Sequence, residues 1–329
     1  MVLERPAPIE TGPLRLMDIE PPVPSDDELL VRVRTCGVCR TDLHVTEGDL
    51  PPKHPNIVPG HEIVGVVERA GASCTRLRAG DRVGIAWLRE TDGTCKFCRR
   101  GRENLCPNAH FTGWDHNGGY AEFATVREAY AYALPDAIDD ESAAPLLCAG
   151  IIGFRAIKRA NVQPGMTVGL YGFGGSAHLA LQVLKHWGCT VYVMSRGGIH
   201  RDLAGDLGAD WIGEAADMPP HGLDAAIMFA PAGPLVPPAM RALDRGGILA
   251  VAGIYLTDIP ALNYERELFY ERELRSVTAN TRADGEEFLR IAAEIPIKSF
   301  IVPMALEDAN RALVMLKHDE LRGAAVLHV

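Results

Sequence analysis

A short apolar strand, Val168-Gly-Leu-Tyr, runs directly into Gly172-Phe-Gly174-Gly175-Ser-Ala177 and on into a helically spaced segment from Ser176 to Trp187. A GxGxxA run between a strand and a helix is the turn that cradles a dinucleotide pyrophosphate, and few folds can supply it. Gly172 permits the tight turn, and Gly174 lets the backbone approach the anion. Ala177 lets the helix pack close to the sheet with its first N–H groups facing outward. A second β-branched strand, Thr190 to Met194, follows, with further apolar runs near Asp210-Trp-Ile, Asp224 to Phe229, Gly247 to Ala252 and Arg275 to Ala279. Six strands alternating with helix-length segments predict a doubly wound parallel sheet of the Rossmann type. The bland alternative, a glycine-rich turn in a nucleotide-free sheet, is disfavoured by this strand–turn–helix–strand context.

Where such sheets bind NAD, an acidic residue at the end of the second strand holds the ribose 2′-hydroxyl, and a basic one there accommodates a 2′-phosphate. Here that strand ends in Ser195-Arg196, and Arg196 lies 24 residues beyond Gly172. An arginine can grip a phosphate bidentately and stack on adenine, and Ser195 can donate a further hydrogen bond. The expectation is NADP(H) in preference to NAD(H), with a solvated surface charge as the competing reading of Arg196.

At 329 residues the chain has room for two domains. Its first part reads as short strands in Gly-, Pro- and Asp-punctuated sequence: Leu29-Leu-Val-Arg-Val-Arg, Glu62-Ile-Val-Gly-Val-Val-Glu and Asp81-Arg-Val-Gly-Ile-Ala. After the six-strand unit come an amphipathic helix from Ala305 to Lys317 and a strand-like Ala324-Ala-Val-Leu-His-Val, a tail expected to return to the first domain. The expected division is a mostly β catalytic domain of residues 1–149 and 286–329 around a dinucleotide-binding domain of residues 150–285. A net charge of −10 argues against nucleic acid or an anionic membrane surface as partner. With no run of 18 apolar residues and no export signal at the start, the cytoplasm is the expected location.

Without export, eight cysteines point to metal rather than disulfides. Cys36, Cys74 and Cys189 read as small buried hydrophobes. Gly37-Val-Cys39-Arg-Thr41-Asp42-Leu-His44, Pro59-Gly60-His61-Glu62 and Leu147-Cys148-Ala-Gly150 together supply two thiolates and an imidazole, a zinc set with one coordination position open. In Asp92-Gly-Thr-Cys95-Lys-Phe-Cys98-Arg-Arg-Gly-Arg-Glu-Asn-Leu-Cys106, three closely spaced cysteines converge as thiolates do on a structural zinc.

In this order these motifs resemble the zinc-dependent medium-chain alcohol dehydrogenases of the medium-chain dehydrogenase/reductase superfamily, over essentially the whole chain. The resemblance implies a GroES-like catalytic domain beside the Rossmann domain and a catalytic zinc on Cys39, His61 and Cys148. It makes Glu62 a residue that approaches the zinc during ligand exchange, Asp42 the carboxylate behind the liganded histidine, and Thr41 and His44 a proton relay. It likens Arg322 to a C-terminal arginine on the cofactor pyrophosphate. The family's second zinc has four cysteines, and Asp92 stands where the first would be. Carboxylate oxygen is an acceptable ligand, so an Asp92, Cys95, Cys98, Cys106 site is expected, against the alternative of a vacant site with three free thiols. By the same resemblance Trp87, Leu88 and Trp114 lie near the substrate cleft, where aromatic walls favour apolar alcohols and aldehydes; ordinary core aromatics are the alternative. His110 and His116 read as polar loop residues rather than further ligands. The resemblance also implies a homodimer or homotetramer.

The resulting expectation is hydride transfer between NADP(H) and a small alcohol, aldehyde or ketone, with two zinc ions per subunit. The rival readings are a polyol or sugar dehydrogenase of the same superfamily and a non-catalytic sensor or scaffold that binds NADPH and zinc.

Overall fold

The computed structural model describes residues 1–295 and 297–329, which form two compact units: Met1–Cys148 with Ala279–Val329, and Ala149–Thr278. Among the described residues no helix is long and apolar enough to cross a membrane.

The unit Ala149–Thr278 holds a sheet of six strands in the order Trp211–Gly213, Thr190–Met194, Thr167–Tyr171, Leu223–Met228, Leu243–Val251, Glu273–Ser276, all parallel. The order reverses between Thr167–Tyr171 and Leu223–Met228, the crevice position at which doubly wound sheets bind nucleotides. Val168, Leu170, Val191, Val193, Ala225, Ile227 and Leu249 are fully buried, as strands covered on both faces require. The strand expected from Gly247 begins at Leu243, because its first turn, Asp244-Arg-Gly, is exposed and carries no apolar signal. The last strand is Glu273–Ser276 rather than Arg275 to Ala279. It is the open edge of the sheet, where Glu273 and Arg275 pair with each other instead of showing apolar alternation.

In the other unit, one sheet runs Ile301–Ala305, Ala324–His328, Glu28–Gly37, Glu62–Ala70, Arg82–Ile85, Ala131–Ala133, with Phe123–Arg127 also paired to Glu28–Gly37. Glu28–Gly37 is its spine. Leu29, Val31 and Val33 point into the core, and Arg32 and Arg34 point out. The C-terminal tail does return here, since Ala324–His328 pairs antiparallel with Thr35 to Gly37. The helix expected from Ala305 is shorter. A tight turn, Leu306–Asp308, precedes Ala309–Lys317, and Ala305 ends a strand, Ile301–Ala305, that periodicity does not reveal. Pro303 disguises this strand in the sequence and is tolerated because the strand lies at the sheet edge. Outside the main sheet, Leu88–Glu90 and His110–Phe111 form a short antiparallel pair, the neck of a lobe comprising residues 91–109.

Candidate active site

The helix Arg40–Glu47 starts from Cys39 through a reciprocal cap in which the Cys39 N–H donates to Asp42 Oδ2 at 2.9 Å. Asp42 is almost wholly buried. Its Oδ1 accepts from the Gly60 N–H at 3.1 Å and from His61 Nδ1 at 2.8 Å, and the Tyr120 hydroxyl donates to Oδ2 at 3.3 Å. Four donors therefore converge on one carboxylate, which favours the proton on His61 Nδ1 and leaves Nε2 as the nitrogen that could ligate a metal. Burial alone would lower the His61 pKa, but the Asp42 charge outweighs it and holds the imidazole well above its ordinary value.

Gly60 has a φ of +98°, and a Cβ there would run into the Tyr120 ring. Gly37 lies opposite Glu62 across the two strands, and a side chain on it would overlap the buried Glu62 carboxylate. Two glycines thus let the acidic groups close around His61.

The ligand atoms of Cys39, His61, Glu62 and Cys148 all lie within 4.8 Å of one another. Cys148 comes from a π-helical turn, Leu146–Gly150, and its sulfur stands 3.8 Å from that of Cys39. Two thiolates on one tetrahedral zinc, each at ~2.3 Å, stand ~3.8 Å apart. Hydrogen bonding from Cys148 pulls the Cys39 thiol well below its ordinary pKa, and the same bond pushes Cys148 well above it. Among the described residues, His61 Nε2 is buried with no partner in hydrogen-bonding geometry. An orphaned imidazole nitrogen beside two thiols that compete for one proton is a donor set that a soft or borderline divalent cation satisfies.

Thr41 is buried, with its hydroxyl 3.9 Å from Cys39 Sγ. His44, one turn along the same helix face, contacts Asp49 through Nδ1 at 2.9 Å. Trp87 meets His61 edge-on with ring centroids 4.9 Å apart, and stacks on Phe111 at 5.0 Å and on Trp114 at 6.0 Å. The aromatic wall is therefore a continuous stack that begins at His61, while Leu88 is buried in the core. Tyr120, Asp49 and Phe111 were not singled out from sequence; a lone tyrosine, aspartate or phenylalanine carries no pattern.

In the lobe, Asp92, Cys95, Cys98 and Cys106 also gather within 4.8 Å, with 3.5 Å between the sulfurs of Cys95 and Cys98. Asp92 has a second task. Its Oδ1 accepts the Thr94 and Cys95 N–H groups, both at 2.9 Å, and Oδ2 accepts from Asn108 at 3.0 Å. The bonds from Cys95 and Thr94 hold its carboxyl well below the usual range, so it is ionised. Burial pushes the Cys106 thiol up to about 12, whereas the Cys98 N–H lowers that of Cys95. Glu103, beside Cys106, accepts two guanidinium bonds from Arg282, at 2.9 and 2.8 Å, and the Arg282 N–H at 2.8 Å.

In the other unit, Gly172 turns at φ +84°, and a Cβ on it would press on Ala230. The helix Gly175–His186 starts at Gly174 with no side-chain cap, a Cβ on Gly174 would meet open space, and Ala177 is buried. The first-turn N–H groups are thus available to an anion. His178 in that turn, unnoticed in the sequence, is buried with its pKa lowered to about 4, so it is neutral near pH 7. Ser195 is buried at the end of its strand, and Arg196 beside it is exposed and makes no ion pair among the described residues. Arg322, in the unit that holds His61, lies exposed before Gly323, with its guanidinium 5.7 Å from the Phe300 ring centre.

Residues 25–136 match the family model described as the alcohol dehydrogenase GroES-like domain. The chain is 55% identical to a probable alcohol dehydrogenase, AdhA, of Mycobacterium tuberculosis, over 99% of this chain and 95% of that protein. It belongs to the medium-chain alcohol dehydrogenase family. Its fold superposes on a cinnamyl alcohol dehydrogenase of Sorghum bicolor with a TM-score of 0.90 at 29% identity, covering 98% of this chain and 96% of that one. A cobalt- and zinc-bound thermostable alcohol dehydrogenase of Pyrobaculum aerophilum superposes with a TM-score of 0.90 at 27% identity, covering 100% and 98%. The chain is thus an oxidoreductase acting on small molecules, built from a GroES-like domain and a Rossmann sheet.

Proposed function

We propose that this enzyme interconverts alcohols with aldehydes or ketones at a zinc held by Cys39, His61 and Cys148, with NADP(H) preferred over NAD(H). The observation that carries this reading is the buried, partnerless Nε2 of His61 between two thiols, oriented by the Asp42 carboxylate on the opposite nitrogen. The cobalt- and zinc-bound relative supports the choice of metal. Zinc there supplies Lewis acidity, lowering the pKa of a bound hydroxyl or polarising a carbonyl, and the dinucleotide supplies the hydride chemistry.

Asp42 holds the imidazole in one tautomer and raises its basicity. Thr41, at the rim of the thiolate pair, accepts the hydrogen bond of the substrate hydroxyl and fixes its direction. His44 is the neighbouring group able to pass a proton outward, with Asp49 bracing its Nδ1 side. Glu62, buried beside His61, is the internal carboxylate that can replace a departing ligand. Trp87, stacked against Phe111 and Trp114, excludes water and favours apolar aldehydes over polyols. Asp92, Cys95, Cys98 and Cys106 hold a second zinc with no open position, which has a structural task. In the dinucleotide unit, Gly172, Gly174, Gly175 and Ala177 shape the pyrophosphate turn, and Ser195 and Arg196 receive a 2′-phosphate.

Initial-rate oxidation of NADPH and NADH with aromatic and aliphatic aldehydes, beside a sugar control, tests this reading. Faster turnover of NADPH with aldehydes is expected. Equal or faster turnover of the sugar substrate pair, or no turnover in zinc-loaded protein, would overturn it.

A further inference from the structure

The neck of the lobe carries a third group of ligand atoms, separate from both sulfur clusters. Glu90 and His110 face each other across the pair Leu88–Glu90 and His110–Phe111. The following loop folds back on itself. The Phe111 N–H donates to Asp115 Oδ2 at 2.8 Å, the Asp115 N–H to the Phe111 carbonyl at 3.0 Å, and the Gly113 N–H to the His116 carbonyl at 2.8 Å. These bonds carry His116 over His110. As a result His110 Nδ1 lies 2.9 Å from Glu90 Oε1 and 3.1 Å from His116 Nε2.

Two imidazole nitrogens and a carboxylate oxygen therefore meet with lone pairs to share, and in neutral rings His110 Nδ1 and His116 Nε2 have one proton to place between them if only one is the N–H tautomer. A single shared proton satisfies one such contact at a time, whereas a cation can take all three ligand atoms at once. Ligands at about 2.1 Å on adjacent octahedral positions stand ~3.0 Å apart, which matches both contacts. Arg127 holds the other Glu90 oxygen through Nε at 2.6 Å and so fixes the carboxylate with Oε1 toward the imidazoles.

We infer that Glu90, His110 and His116 form a further cation site, a two-histidine, one-carboxylate face for a borderline divalent transition metal of the zinc class, with its remaining positions open to water. The half-exposed His110 ring provides the way in. An ion there would tie together the two strand ends from which the lobe projects. It would also stiffen Phe111, which follows His110 and stacks on Trp87. The site does not depend on the catalytic reading above.

Untagged protein, loaded with Zn2+ and dialysed until its metal content is constant, is titrated with Zn2+ by calorimetry, with bound metal counted by mass spectrometry. Wild type is expected to take up one further equivalent per subunit. The His110→Ala/His116→Ala double variant should lose that uptake, as should the milder single variant His110→Gln, which removes one exposed ring and keeps the loop bonds. Glu90→Gln should weaken it by tenfold or more. Absence of a further equivalent in wild type, or undiminished uptake by the folded His110→Gln protein, would overturn the site. Because the readout is metal beyond that retained on dialysis, either result leaves the proposed activity to be judged by its own rates.

Discussion

The pocket around His61 and the lobe around Cys98 use the same side-chain chemistry for opposite ends, and the two aspartates show why. In the pocket, Asp42 stands behind His61 and accepts four hydrogen bonds, and two sulfurs and one imidazole nitrogen gather with the Glu62 carboxylate in a buried space; zinc held by the sulfurs and the nitrogen, as proposed, would keep one position open. In the lobe, Asp92 stands within the ligand group and also caps its loop, so three sulfurs and one oxygen close the set. A carboxylate that positions a ligand leaves room for chemistry; one that joins the ligands completes a clamp. Both aspartates accept backbone N–H groups; the difference is that Asp42 also accepts the imidazole N–H of His61, whereas an oxygen of Asp92 itself lies among the sulfurs.

The comparison breaks most visibly if ligands are removed. His61→Ala should lower the rate of aldehyde reduction by on the order of 10³-fold or more, since the ion that polarises the carbonyl loses an anchor. Its thermal midpoint should shift far less than that of a lobe-ligand variant. Zinc analysis with initial rates checks this. Asp92→Ala should release the lobe metal and lower stability by several kcal/mol while the folded protein keeps its rate to within a few-fold. Two tightly held zinc ions in that variant would remove Asp92 from the ligand set. Asp42→Asn should weaken zinc at the pocket by about 10–100-fold, seen as faster loss to a chelator.

Smaller effects sharpen the picture. Glu103 is depressed below its ordinary pKa because, although burial acts to raise it, Arg282 outweighs burial. A depressed carboxylate stabilises the fold above its unfolded pKa and loses that contribution as pH falls through the folded value. The lobe anchor should therefore weaken in acid below about pH 4, and Glu103→Gln should cost about 1–2 kcal/mol at pH 7 and progressively less in acid. Denaturant melts at the two pH values measure it. Arg196→Asp should reverse the NADPH preference with little effect on zinc content or thermal midpoint; an unchanged preference would assign the 2′-phosphate elsewhere.

Much of this molecule is legible in its sequence, for identifiable reasons. The inner parallel strands announce themselves because burial on both faces demands unbroken apolar runs, as at Val191 to Met194. The members of both sulfur clusters are visible because cysteine and histidine are scarce and their spacing is chemical. Ile301–Ala305 and Glu273–Ser276 are obscured because edge strands tolerate proline and charge. Tyr120, Asp49 and His178 escape notice because their roles arise from contacts between residues far apart in the chain or from burial, which no local pattern encodes. The meeting of Glu90 with His110 and His116 is hidden for the same reason: a strand pair and a folded loop bring together residues that no local pattern connects.

The most direct test of the contrast between pocket and lobe is a paired measurement on His61→Ala and Cys98→Ser: zinc per subunit, thermal midpoint and the rate of NADPH-dependent aldehyde reduction in each. The account predicts a protein that melts near wild type but is inactive for His61→Ala, and a protein that melts much earlier but is active while folded for Cys98→Ser. An active His61→Ala enzyme, or a folded but inactive Cys98→Ser enzyme, would contradict the assignment of chemistry to one cluster and structure to the other.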